Sequence, residues 1–297
     1  MHNAGIMEMP TDDYWNYIAD LTGDQSWRAR NIRRIFQDIE NCHYEPNGTA
    51  GHGFSGWLDS SQGDTSWLSS SADGAAVLRS IAESVNRRAG RSGETVPDST
   101  LETLLKRDIN AANLSSTDPL GIFSLVTHTN TTGRRVSPSK YVRDTLNDPA
   151  GYPLKLELNA FLTGIEWDPL VSGDELPVVM GVNFVSGESV YKADPRNDPS
   201  KTPRKRHVYV TKEVIIAGGA FNSPQILKTS GVGPADELKK FNITLVADLP
   251  GVGRNLGDNY EGAVLSLANK AAGNLGGSYA VYLNTSQSEG PRDIFMW

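Results

Sequence analysis

The sequence predicts an α/β chain of mixed α+β character, built as two interleaved parts. Three observations predict it. Apolar residues recur at helical spacing through most of the stretch from Thr11 to residue 149. From Leu154 the texture changes to short apolar or alternating runs that suit strands. The stretch from Val208 to Asp258 then places a β-branched run, a glycine pair and a helix start in succession. Such a βα turn points backbone amides at a common spot, where an anionic ligand can be met.

After a loop-like opening, Thr11-Asp12-Asp13 supplies an N-cap and first-turn acids for a helix with Tyr14, Trp15, Tyr17, Ile18 and Leu21 on one stripe. Thr22-Gly23-Asp24 ends it, and Ser26-Trp27 is expected to cap a second helix. The arginines of that helix (Arg28, Arg30, Arg33, Arg34) read as its solvated face. Residues 45–73 are rich in Gly, Ser, Asn and Asp, with a short strand expected at Gly53–Ser60. Helices are predicted over 74–92, over Ser99–Lys106 and after Ser137-Pro138, with a strand at Ile122–His128. Strands are predicted at Leu154–Leu158, Phe161–Trp167, Val178–Phe184, Val208–Val210, Glu213–Ala217, Ala263–Leu267 and Ser278–Leu283. Tyr191–Arg206 reads as a polar surface loop. Asn222-Ser223-Pro224 is expected to open a helix reaching Thr229, with Asn222 as its cap, and a short helix is expected from Ala235 to Phe241.

Composition narrows the function classes. A net charge of −7 over 297 residues argues against nucleic acid and against anionic membrane surfaces. No apolar run approaches the roughly 20 residues that span a bilayer, and no signal peptide is read at the N-terminus. Cys42 is the only cysteine, which rules out an intrachain disulfide and a multi-cysteine metal cluster. No His/Glu/Asp group stands at metal spacing and no Gly-x-Ser-x-Gly elbow occurs, so neither a metal hydrolase nor a serine hydrolase is supported. Glycosylation triplets at Asn47, Asn113, Asn130, Asn242 and Asn284 matter only for a secreted chain, which would need a leader upstream.

The stretch Gly219-Ala220-Phe221-Asn222-Ser223-Pro224-Gln225-Ile226-Leu227-Lys228-Thr229-Ser230-Gly231-Val232-Gly233 resembles the second signature of the glucose–methanol–choline (GMC) flavin oxidoreductases. Lys212–Ile216 is similar to the strand before that signature, and Leu249–Asp258 to the segment after it. Weaker similarities are Gly133-Arg134-Arg135-Val136-Ser137, Gly51-His52-Gly53 to Gly56, and His2-Asn3-Ala4 with Asp13-Tyr14-Trp15, the last two resembling the tail of the first signature.

The resemblance implies a partial FAD-binding, Rossmann-like domain interleaved with a partial substrate domain. Its segments would be 1–30 (FAD-domain or lid remnant), 31–149 (substrate), 150–262 (FAD-binding) and 263–297 (start of the substrate sheet). It implies oxidation of the CH–OH group of a small-molecule alcohol, with hydride passing to flavin N5 and dioxygen or another acceptor reoxidising the flavin. The implied cofactor contacts are Asn3, Ala4 and Gly5 beside the flavin, the backbone of Leu162 at the adenine, and Ala217 and Gly218 at the adenosine end. Asn259 stands where the family often has His. The family's Gly-x-Gly-x-x-Gly fingerprint and catalytic His fall outside this sequence, the latter beyond residue 297. No residue here is therefore assigned as catalytic, and none of His2, His43, His52, His128 and His207 sits in that context. The chain is expected to be an internal fragment that binds FAD weakly or not at all and does not turn over alone. A non-catalytic remnant serving as a binding or scaffold protein is the alternative, and a nicotinamide enzyme on a similar fold is disfavoured by the signature.

Overall fold

The computed structural model describes residues 5–91, 95–114, 120–170, 175–258, 261–263, 265, 267, 269, 279–288 and 292–297. The chain divides into two units, Met1–Pro153 with Ser266–Trp297, and Leu154–Leu265.

In the first unit, helix α1 (Asp12–Thr22) starts as its sequence dictates. The Thr11 hydroxyl accepts from the Tyr14 amide, and Gly23, at φ 74°, closes the helix in the left-handed region. Helix α2 (Ala29–Ile39) begins later than expected. Ser26 and Trp27 are drawn into a single 3₁₀ turn by the Asp24 carboxylate, which accepts from the Ser26 amide at 2.9 Å, so Arg28 takes the cap position. The arginine face is also less solvated than expected, because Arg33 pairs with Asp12 at 2.8 Å and donates to the Asn110 carbonyl. Strand β1 (Glu40–Cys42) continues directly from α2 and pairs in parallel with β2 (Leu58–Gln62). The strand expected from Gly53 forms only from Leu58, since residues 53–56 are pressed against the end of α2. Helices α3 (Ala72–Arg88), capped by Ser71, and α4 (Asp98–Leu105) follow. The strand expected at Ile122–His128 is split into β3 (Gly121–Ser124) and β4 (Val126–Thr127), and helix α5 (Pro138–Leu146) comes next.

The second unit opens with an antiparallel meander of β5 (Ala160–Trp167), β6 (Val179–Ser186) and β7 (Arg204–Tyr209), in which β5 is an edge strand. Helix α6 (Gly219–Thr229) leads into β8 (Val232–Gly233), helix α7 (Ala235–Lys240) and β9 (Ala247–Asp248), with β8 and β9 parallel. Three expectations are corrected here. Leu154–Leu158 and Glu213–Ala217 form no strand, because a β-rich run needs a ladder partner and none of the described strands pairs with either. Helix α6 starts at Gly219, so Asn222 lies inside it instead of capping it, and Pro224 sits within the helix without an amide to donate.

The chain then returns to the first unit with β10 (Tyr279–Leu283) and β11 (Ile294–Met296), which form the antiparallel sheet β11-β10-β3. Successive residues of this sheet face opposite cores. Ile122 and Val281 join Leu78, Leu101 and Leu105 from α3 and α4, while Phe123, Ala280 and Tyr282 join Met7, Ile109 and Val126. Two-sided burial explains why Gly121–Ser124 is buried throughout, without the polar alternation of a half-exposed strand. The strand expected at Ala263–Leu267 falls partly outside the described residues, and the rest of it is irregular.

Candidate functional site

The signature segment is built around Ser230 and Gly231, at the C-terminus of α6. Ser230 Oγ donates to the Ile226 carbonyl at 2.6 Å and accepts from the Ile165 amide at 2.8 Å, while the Trp167 indole donates to the Ser230 carbonyl at 2.7 Å. The helix end is thereby fastened to the edge of β5. Gly231 has φ 88°, and a Cβ there would stand 2.5 Å from the Thr244 carbonyl oxygen, so no other residue fits. Its own carbonyl accepts from the amides of Val246 and Ala247, which starts the β8–β9 pairing. Lys228 reaches Glu237 at 2.8 Å and lies over Gly253. A groove of about 730 Å³ runs beside α6, lined by Phe221, Pro224, Lys228, Phe241 and Arg254.

At the other end of α6, Gly218 holds the cap position without a side chain to satisfy the first-turn amides. Ala217, Gly218 and Gly219 are exposed, and a Cβ on Gly219 would meet nothing within 4 Å. The backbone here is open to close approach. Leu162 lies in β5 opposite Phe184, beside a register shift that places Thr163 out of the ladder. An edge strand leaves alternate N–H and C=O groups unpaired on its outer side.

Of the expected contacts in the first unit, Asn3 and Ala4 lie outside the described residues. Gly5 is buried at φ 81°, and its carbonyl accepts from the His128 amide at 2.8 Å. The Arg135 guanidinium lies 3.5 Å from where a Gly5 Cβ would stand. His128 Nδ1 is buried and makes no hydrogen bond. Burial, and then the Arg135 charge, hold this imidazole below its ordinary pKa, so it is neutral near pH 7. Gly5 thus belongs to one unit, and Leu162, Ala217 and Gly218 to the other.

Two groupings were not legible in the sequence. The Ser230–Trp167–Ile165 joint spans more than sixty residues and carries no local pattern. The second is a buried cluster in the first unit. His52 donates from Nδ1 to Glu40 and from Nε2 to Asp108, both at 3.0 Å, and the Ser60 hydroxyl and Gly53 amide also donate to Glu40. Burial works against the charged ring, but the hydrogen bonds to Asp108, Cys42 and Glu40 together outweigh it and push the pKa from 6.5 up to about 12. No acid–base spacing in the sequence signals this cluster, because its members come from a helix–strand junction, a glycine loop and the segment after α4. Of the other described histidines, His43 pairs with Asp59 at 2.7 Å and His207 lies 2.6 Å from Glu166.

Residues 160–261 match the family model described as GMC oxidoreductase. Human mitochondrial choline dehydrogenase is 54% identical over 61 residues, which are 20% of this chain and 10% of that protein. A GMC oxidoreductase family protein of Malassezia sympodialis, Mala s 12, is 34% identical over 125 residues, 40% of this chain and 19% of its own length. Among solved structures, pyridoxine 4-oxidase from Mesorbium loti aligns over 84% of this chain and 38% of its own, with a TM-score of 0.53 at 18% identity. Formate oxidase from Aspergillus oryzae aligns over 83% and 35%, with a TM-score of 0.57 at 13% identity. The likeness to these structures is one of fold, and the chain spans little more than a third of their length.

Proposed function

We propose that this chain, a member of the GMC oxidoreductase family by the match over residues 160–261, supplies part of the cofactor site of an FAD-dependent oxidoreductase acting on the CH–OH group of an alcohol. The observation that carries this reading is the continuous family match over 160–261, which takes in β5, the glycines before α6 and the turn after β9. Bound FAD would supply the hydride acceptor. The chain's own residues would bind and orient it. Ala217 and Gly218 offer side-chain-free backbone to the adenosine end, and Leu162 offers an edge-strand backbone to the adenine. In the first unit, taken by itself, the Gly5 carbonyl accepts from the His128 amide at 2.8 Å and the Arg135 guanidinium stands 3.5 Å from where a Gly5 Cβ would be, which leaves this peptide without a side chain between it and a ligand.

The sequence contains neither a strand–Gly-x-Gly-x-x-Gly–helix unit nor a histidine in the family's catalytic context. These 297 residues are therefore expected to bind FAD weakly and to leave it unreduced by alcohols. The alcohol is a small molecule, and the electron acceptor is dioxygen or another oxidant. Among the described residues no helix is long and apolar enough to cross a membrane. A titration of FAD fluorescence with competing ADP tests the reading. The expected result is weak, ADP-competed quenching that Ala217→Glu abolishes. Equal quenching by wild type and A217E would overturn the site assignment, and rapid bleaching by an alcohol would overturn the expectation of no turnover.

A further inference from the structure

The first unit holds a buried group of unlike ligand atoms that the flavin chemistry does not use. The carboxylate of Glu40, the thiol of Cys42 and the imidazole of His52 are all buried, and one ligand atom from each lies within 4.8 Å of the others. We propose that Glu40, Cys42 and His52 form a structural site for a divalent ion of the zinc class.

The backbone sets this constellation. Glu40 and Cys42 alternate along β1 with the same burial, so both point to one side of the strand. His52 is delivered against them by the Gly51–Gly56 loop. A Cβ on Gly53 would stand 1.8 Å from the Gln37 carbonyl oxygen, and one on Gly56 would stand 2.1 Å from the Ile39 carbonyl, so glycine is required at both. The Cys42 amide donates to the Gly53 carbonyl, and the Gly56 amide to the Glu40 carbonyl, both at 2.8 Å. The ligands are thus placed by backbone ladders and do not depend on side-chain freedom.

Distances and chemistry suit the ion. Zinc–oxygen and zinc–nitrogen bonds near 2.0–2.2 Å, with zinc–sulfur near 2.3 Å, put tetrahedral ligand atoms roughly 3.3–3.8 Å apart. Glu40 Oε2 and His52 Nδ1 stand at 3.0 Å and need open by only a few tenths of an ångström around an ion, while the Cys42 sulfur lies within 4.8 Å of a ligand atom of each and closes in on the ion. His52 Nε2 donates to Asp108, whose other oxygen accepts from the Tyr44 hydroxyl at 3.1 Å and the Asn110 amide at 2.8 Å. A carboxylate that fixes the outer nitrogen of a histidine ligand is the arrangement that orients and strengthens such ligands. Without metal, a proton between Glu40 and His52 supplies the positive charge. Ligation by a neutral imidazole nitrogen and a thiolate releases protons to solvent as the ion takes their place.

The test uses the chelator-stripped 297-residue chain titrated with Co²⁺ and with Zn²⁺. The expected result is one ion per chain, a thiolate-to-cobalt charge-transfer band, and a higher melting temperature with Zn²⁺. Cys42→Ser, a near-isosteric change that preserves folding, is expected to lose the band and most of the affinity, and Asp108→Asn to weaken binding about 10- to 100-fold. Cobalt bound without a sulfur band, C42S binding as tightly as wild type, or no binding at all would overturn the proposal.

Discussion

Glu40 is fully buried, yet it accepts hydrogen bonds from His52, Ser60 and the Gly53 amide. A buried carboxylate is tolerated only when such partners replace its water. Removing its charge leaves His52 facing one carboxylate where it had two. Glu40→Gln in the metal-free protein is therefore expected to cost about 3–5 kcal/mol, the range for breaking a buried charged pair, measured by urea denaturation. His128 works in the opposite direction. Its folded-state pKa lies below its ordinary 6.5, so the unfolded chain binds more protons below that pH and stability falls as pH drops through this window. Denaturation midpoints measured on either side of pH 6.5 should show this slope, and His128→Gln should flatten it. An unchanged slope would show that the ring is not held neutral by its surroundings.

At the scale of elements, α6 and its exit turn matter most in the second unit. Gly231→Ala must force a side chain into the left-handed region and against the Thr244 carbonyl, with an expected cost of about 1–3 kcal/mol or more. Ser230→Ala leaves the Ile165 amide without its acceptor, at about 1–3 kcal/mol. A thermal melt reads both, and G231A should be the more damaging. Elements with local signals were legible. Thr11 with its acids marked α1, and the apolar periodicity of α3 and the alternation of β5 and β6 placed those elements to within a few residues. Glu213–Ala217 shows where local reading fails. Its Val-Ile-Ile run has strand propensity, but Ile215 is 81% exposed and no described strand lies alongside. Helix α6 fails differently, since the Asn-Ser-Pro start signal is overridden by a glycine pair that turns the chain three residues earlier.

Across the whole chain, the two units differ in how much they bury. The first encloses two apolar clusters on either side of β3 and β10, whereas in the second Phe184, Val232 and Leu238 are the principal buried side chains and Ile215, Phe221 and Phe241 are largely exposed. The family was legible from one fifteen-residue run because that run fixes backbone geometry: glycine where Cβ is forbidden and serine where two elements join. The buried Glu40–His52–Asp108 cluster was not legible, since it depends on contacts between distant segments. In the proposed function, backbone on β5 and before α6 receives the adenosine end of FAD. Hydrogen exchange of the chain with and without FAD tests it most directly. Protection of the amides in 160–167 and 213–222 is the expected result, and unchanged exchange there at FAD concentrations that quench its fluorescence would contradict it.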